Sequence, residues 1–170
     1  MLQSRNSAVV IAVINLFLDL APVEELTIVI QPLVSLATSD RRETKYLSMQ
    51  LVNQVTIDHP HLIAPYVKHF AIFWADPEPL ALVKVSTLTS IAIGAQGCAH
   101  QIVRELETIS TWDRPVLAAA AVKALGSIAC KSDLAQLCLP KLLYLLNDPR
   151  ELVSGKFLLD DIQNKNVRLV

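Results

Sequence analysis

The sequence predicts an all-α fold, a right-handed α-solenoid of stacked helical hairpins, and three observations predict it. Cap-type residues recur at a near-fixed interval: Ser4, Asp40, Asp76, Asp113 and Asp148 stand 36, 36, 37 and 35 residues apart. That period is in the range of helical repeats. Each interval holds two stretches with helical apolar periodicity. Glycine is scarce, 4 of 170 residues, and no Asn-Gly or Asp-Gly pair occurs, which argues against a fold built from strands and tight turns.

In each interval the cap residue is expected to open a first helix, because its side-chain oxygen can accept from the free N–H groups of the first turn. Pro77 and Pro149 follow at the first helical position, where a missing N–H costs nothing, and Arg5, Arg41, Arg114 and Arg150 follow four of the five caps. The first helices are placed at 5–20, 41–57, 77–93, 114–130 and 150–163. They are apolar nearly all round, as in "AVVIAVINLF" and "PVLAAAAVKALGSIA", so each must be covered on several sides. In "ADPEPLALVKVSTLTSIAIG", Leu82, Val85, Leu88 and Ile91 form the expected buried set, and "GSIAC" at 126–130 repeats the end of that helix one period later.

The second helices are placed at 24–37, 61–73, 98–110 and 133–147. Cys98, Ile102, Leu106 and Ile109 share one face, with Arg104, Glu105 and Glu107 turned away; Leu134, Leu137, Cys138, Leu142 and Leu145 repeat that stripe. Pro22, Pro60 and Pro79 lie near helix starts. Pro32, Pro65 and Pro140 fall inside second helices, where a kink or break is expected. The period lies at the short end for HEAT or armadillo units and near that of tetratricopeptides, whose Trp, Gly-Tyr and Ala-Phe landmarks are missing. The unit is therefore read as HEAT-like, and residues 1–170 as a single α-solenoid segment. With no polar capping repeat at either end, the segment reads as an internal part of a longer solenoid, and the isolated fragment is expected to self-associate.

Composition narrows function. Hydrophobic residues make up 52% and charged residues 18%, enough to bury a large core. A formal net charge of −1 and 5% aromatics leave neither a long-range field nor stacking platforms for nucleic acid. The run 8–22 is shorter than the roughly 20 apolar residues a bilayer needs, and Asn15 and Asp19 interrupt it. Cys98, Cys130 and Cys138 include no CxxC pair and read as reduced thiols of a cytosolic protein.

Catalytic and metal readings are weak beside structural ones. Cys98 and His100 diverge on a helix, since positions two apart do not share a face. His59 and His61 flank Pro60 without the cysteines or carboxylates that would complete a tetrahedral set. "SGKF" at 154–157 lacks the flanking glycine and Ser/Thr of a phosphate loop. No catalytic residue, cofactor or metal is expected. The candidate partner contacts are the basic residues Arg41, Arg42 and Lys45 at a helix start, together with Lys84 and Lys123. Each of those two is a lone charge in an apolar first helix that must reach water or meet a carboxylate. Trp74 and Trp112, each just before a cap, are expected to pack over the preceding hairpin, and an exposed one would be an interface anchor.

The stretches "RNSAVVIAVINLFLDLAP", "YLSMQLVNQVTIDHPHLIAPYVKHFAIFWADP", "LVKVSTLTSIA" and "KALGSIAC" resemble the amino-terminal trunk of a β-type adaptin, a large subunit of the heterotetrameric adaptor complexes. The matching positions are Asn6 to Val10, Phe73 to Pro77 and Leu82 to Ala92, and the resemblance covers about residues 2–150 in one register. Ser86 and Thr87 stand where the family has acidic and aliphatic residues. Pro32 interrupts a helix that is continuous in the family, and residues 155–170 follow it only loosely. The resemblance implies a non-catalytic scaffold in vesicle-mediated protein transport. It would bind the medium, small and second large chains and sit peripherally on Golgi or endosomal membranes and coated vesicles from the cytoplasm. Another HEAT-repeat binder, such as a coatomer subunit, a nuclear transport receptor or a phosphatase scaffold, is the second reading, and a cysteine-dependent enzyme the third.

Overall fold

The first helices form where long runs carry no proline beyond the first turn, and the computed structural model of the chain describes residues 6–39, 41–130 and 134–147. The first helices are α1 (Ser7–Leu20), α3 (Arg42–Asp58), α5 (Glu78–Gly94) and α7 (Pro115–Ala129). The second helices are α2 (Val23–Ala37), α4 (Pro60–Ile63) continued by a 3-10 segment (Ala64–Phe70), α6 (Ala99–Ser110) and α8 (Ala135–Asn147). No strand occurs among the described residues. The expected fifth first helix at 150–163 and the tail 155–170 lie outside the described residues, as do the caps Ser4, Asp40 and Asp148 with Arg5, Pro149 and Arg150.

The chain packs as two compact units, Met1–Cys98 and Ala99–Val170. In the first, α1 touches α2 and α3, α3 touches α2, α4 and α5, and α2 touches α4. Successive first helices therefore touch each other as well as their own second helices, the arrangement of a helical solenoid. In the second, α6 and α8 both pack on α7 and also touch each other. The expected apolar faces form the core. Ile102, Leu106 and Ile109 of α6 are fully buried, as are Leu88 and Ile91 of α5, and Val85 nearly so, while Leu82 is half-buried. Leu134 and Cys138 are buried, and Leu137 and Leu142 are half-buried; the side chain of Leu145 lies outside the described ones.

Two local expectations are corrected. At α5 the cap position is held by Pro77, which makes no side-chain cap bond, so Pro77 precedes the helix and Pro79 is the proline of its first turn. Asp113 likewise stands one residue outside the cap position, which Arg114 occupies without a side-chain cap hydrogen bond. Asn6 is a capping side chain: its Oδ1 accepts from Ala8 N at 3.0 Å. The prolines also behave unequally. α2 runs through Pro32 and α8 through Pro140 without a break, whereas Pro65 ends α4 and turns the chain into the 3-10 segment. A proline inside a helix costs about 3 kcal/mol. Around Pro32 that cost is opposed by buried Val29 and Ile30 before it and Leu33, Val34 and Ala37 after it. α4 has only four residues and no comparable anchoring.

The close approach of α4 to α5 depends on Gly94. A Cβ added there would lie 2.1 Å from Pro60 Cγ, whereas one added at Gly97 would meet nothing within 4 Å. Gly94→Ala gains helix propensity of at most about 1 kcal/mol, but overpacking against a rigid pyrrolidine costs more, typically 1–3 kcal/mol. Urea unfolding is expected to show Gly94→Ala destabilised by about 1–2 kcal/mol and Gly97→Ala close to the parent protein.

Candidate functional site

The loop between the 3-10 segment and α5 is closed by a four-residue turn. Asp76 N donates to the Phe73 carbonyl at 3.0 Å, and Phe73 N donates back to Asp76 Oδ2 at 3.0 Å. Lys84, almost two turns into α5, reaches the same carboxylate. Its Nζ donates to Asp76 Oδ2 at 2.7 Å and to the Ala71 carbonyl at 2.8 Å, and lies 5.4 Å from the centre of the Phe73 ring. The side chains of Lys84 and Asp76 are 3% and 9% exposed. A charge taken this far from water is tolerated only when paired and hydrogen-bonded, and here the ammonium has a carboxylate, a carbonyl and a ring face. The geometry therefore gives Lys84 the role of a tie within its own repeat.

Lys123 differs. It is exposed on α7, and the period explains why: stepping 37 residues back from Lys123 lands on Ser86, also exposed, while stepping 37 forward from Lys84 lands on Ala121, fully buried. The two lysines are thus offset by two positions in their repeats, about 200° around a helix. Arg41 and Arg42 are exposed at the start of α3, and Lys45, one turn on, is half-buried. These three share one helix end, and Lys84 belongs to a different site.

Sequence reasoning missed the partners that hold Lys84, because Ala71 and Phe73 contribute backbone groups and a ring that no motif marks. It also expected Trp74 to be packed. Phe73 and Trp74 are 62% and 57% exposed at this turn, and Trp112 is half-buried.

The thiols are separate and free. Cys98 Sγ points to the Ala64 carbonyl at 3.8 Å, Cys130 is exposed and Cys138 is fully buried. Burial pushes the Cys138 thiol above its ordinary value of 9.0, the opposite of what a nucleophile needs. His59 and His61 meet edge to face at 6.1 Å. Among the described residues no group of three or more His, Cys, Asp or Glu side chains could hold a metal ion, and no helix is long and apolar enough to cross a membrane.

Comparison with known proteins places this geometry in context. A family model described as "Adaptin N terminal region" matches residues 1–164. The AP-3 complex subunit beta-1 of Canis lupus familiaris is 32% identical over 157 residues, covering 92% of this chain and 14% of that protein. The AP-3 complex subunit beta-2 of Mus musculus is 33% identical over 160 residues, with 92% and 14% covered. The AP-3 complex subunit beta of Schizosaccharomyces pombe is 27% identical over 145 residues, with 85% and 19% covered. The chain thus spans 14% of the length of the first two of these relatives.

Two outcomes follow from the site. Lys84→Met takes the ammonium away from the buried Asp76 carboxylate, which keeps the Phe73 N–H, and should lower unfolding free energy by about 3 kcal/mol. Combining it with Asp76→Asn should recover part of that loss, giving a coupling of about 1–3 kcal/mol in a double-mutant cycle. A thiol reagent at pH 8 should label Cys130 quickly and Cys138 only on unfolding. Because the folded Cys138 holds its proton to higher pH than the unfolded chain, its contribution to stability is intact below pH 9 and is lost as pH rises through its raised value.

Proposed function

The chain belongs to the adaptin amino-terminal family, and from that premise we propose that its 170 residues act as one non-catalytic scaffold segment of an adaptor-complex large subunit in vesicle-mediated intracellular protein transport. One observation carries the reading: the family match runs through 1–164, and β subunits of AP-3 complexes align over 92% of the chain. What the chain offers is surface, held by covered first helices and a buried ion pair. Cys98, Cys130 and Cys138 are free thiols, and burial raises the pKa of Cys138, which disfavours its nucleophilic form.

The partners in this reading are the medium, small and second large chains of the complex, with Arg41, Arg42, Lys45 and Lys123 as the exposed or half-buried basic contacts. Membrane association on Golgi or endosomal surfaces and coated vesicles is then peripheral and indirect, through the assembled complex on its cytoplasmic face. Lys84 acts indirectly, by fixing the turn that presents Phe73 and Trp74.

Co-expression with tagged medium and small adaptor subunits tests this. The chain is expected to co-purify with them at moderate salt, and Arg41→Glu with Arg42→Glu should weaken recovery severalfold without changing helicity. Failure to associate, under conditions where a full-length β subunit does, would remove the scaffold reading.

A further inference from the structure

α2, α6 and α8 are α-helical over their whole lengths, but the second helix that follows α3 is not. Only Pro60–Ile63 is α, and the next seven residues, Ala64–Phe70, are 3-10. Runs of 3-10 helix beyond three or four residues are uncommon, because their hydrogen-bond geometry is poorer. Pro65 explains where the change begins, since it removes one i→i−4 bond. It does not explain residues 66–70, because α2 and α8 stay α-helical after Pro32 and Pro140. Nor does the apolar pattern. Ile63, Val67 and Phe70 are buried, and their spacing of four and three is that of one α-helical face. The same side chains also serve the 3-10 form. There Ala64, Val67 and Phe70 fall on one row, Pro65 and Lys68 on a second, and Tyr66 and His69, with rings 6.3 Å apart, on a third. Both forms bury the same residues, so something else selects between them.

Two contacts with α5 make the selection. At one end the Pro60 ring lies so close to Gly94 that no Cβ fits between them. At the other end the Ala71 carbonyl accepts from Lys84 Nζ, which also binds Asp76. α5 is one continuous helix and sets the distance between these anchors. Lys84 and Gly94 lie about 15 Å apart along it, and the lysine side chain, leaning toward the helix N-terminus, adds roughly 5 Å. An all-α run from Pro60 to Ala71 rises only about 17 Å, whereas four α residues and seven 3-10 residues rise about 20 Å. We propose that residues 64–70 are a two-state coupler: 3-10 while Lys84 ties Ala71 and Asp76 to α5, and α-helical when that tie opens. Conversion shortens the segment by about 3.5 Å and turns its end by roughly 140°, at 100° against 120° per residue. The exposed Phe73 and Trp74 beyond it and the exposed Lys68 and His69 on it are then redirected together. A ligand that holds the two aromatic side chains better in one orientation shifts the whole segment. None of this depends on the adaptor reading.

NMR of the full isotope-labelled chain tests it, through the proton contacts between Hα of residue i and the amide of residue i+2, which mark a 3-10 helix, or of residue i+4, which mark an α-helix. Over 64–70 the parent is expected to show the i+2 contacts. Lys84→Met with Asp76→Asn opens the tie without leaving a lone buried charge, and should replace them with i+4 contacts. Pro65→Ala removes the proline and leaves the tie, and should keep the i+2 contacts; it separates the two causes by itself, whether or not the double variant folds. The i+4 contacts in the parent, their appearance in Pro65→Ala alone, or unchanged i+2 contacts in the double variant would each overturn the proposal.

Discussion

A helix that is apolar on every side can exist in water only if something covers every side, and this requirement organises the chain. α5 buries Leu80, Ala81, Val85, Thr87, Leu88, Ile91 and Ala92 over about half of its circumference, and Leu82, Val83, Thr89 and Ile93 on the other half are half-buried. No single partner helix can do that, so first helices pack on each other as well as on their second helices. Each fully buried aliphatic side chain contributes roughly 1.5–3 kcal/mol, while the polar groups carried along must find partners or cost free energy. Some find them one period away. Ser7 Oγ lies 3.4 Å from Thr44 Oγ1, Thr87 Oγ1 lies 3.2 Å from Asn53 Oδ1, and Lys141 binds Glu107. The separations of 37, 34 and 34 residues are the repeat itself, expressed as hydrogen bonds.

The Lys84–Asp76 pair is the exception that this packing accommodates. An aspartate recurs near every first-helix start from Asp40 on, and among the described residues only the third repeat has a lysine eight residues later; Lys156, eight after Asp148, lies outside them. The corresponding positions hold Ser48 one period earlier and Ala121 one period later, both fully buried. Among the described residues the Ser48 hydroxyl has no hydrogen-bond partner, so the second repeat keeps a small polar atom where the third has a paired charge. The third repeat therefore has a turn fixed at both ends, and the exposed Phe73 and Trp74 project from a backbone that is held in place. Rigid aromatic side chains lose little entropy on binding, which is why such residues dominate interfaces.

Much of this was legible in the sequence. Helix starts and ends followed from period and breakers to within two residues for α1, α3, α5 and α7, because strong apolar periodicity leaves little choice of where to begin. The buried faces of α5 and α6 were legible for the same reason. The prolines were not: whether a proline breaks a helix depends on how firmly its two flanks are anchored, and that is tertiary information. The aspartates were read as caps because they recur before helices, but recurrence records position, and Asp76 Oδ2 is turned toward Phe73 N and Lys84. Lys84 and Lys123 looked equivalent because each is a lone charge in an apolar run. Their two-residue offset was visible in the numbering, and only the burial of one and exposure of the other gave it meaning.

The central claim is that covering, graded from the middle of a stack to its edge, holds this fold. Native-state hydrogen exchange measures it directly, because opening free energy reports how many neighbours a helix must leave. In the first unit the amides of α3, which touches α1, α2, α4 and α5, are expected to exchange slowest, and those of α1, with Val9, Leu16 and Leu20 exposed, markedly faster. If α1 exchanged as slowly as α3, or all helices exchanged through one global opening, stacking by neighbours would not be what stabilises the chain.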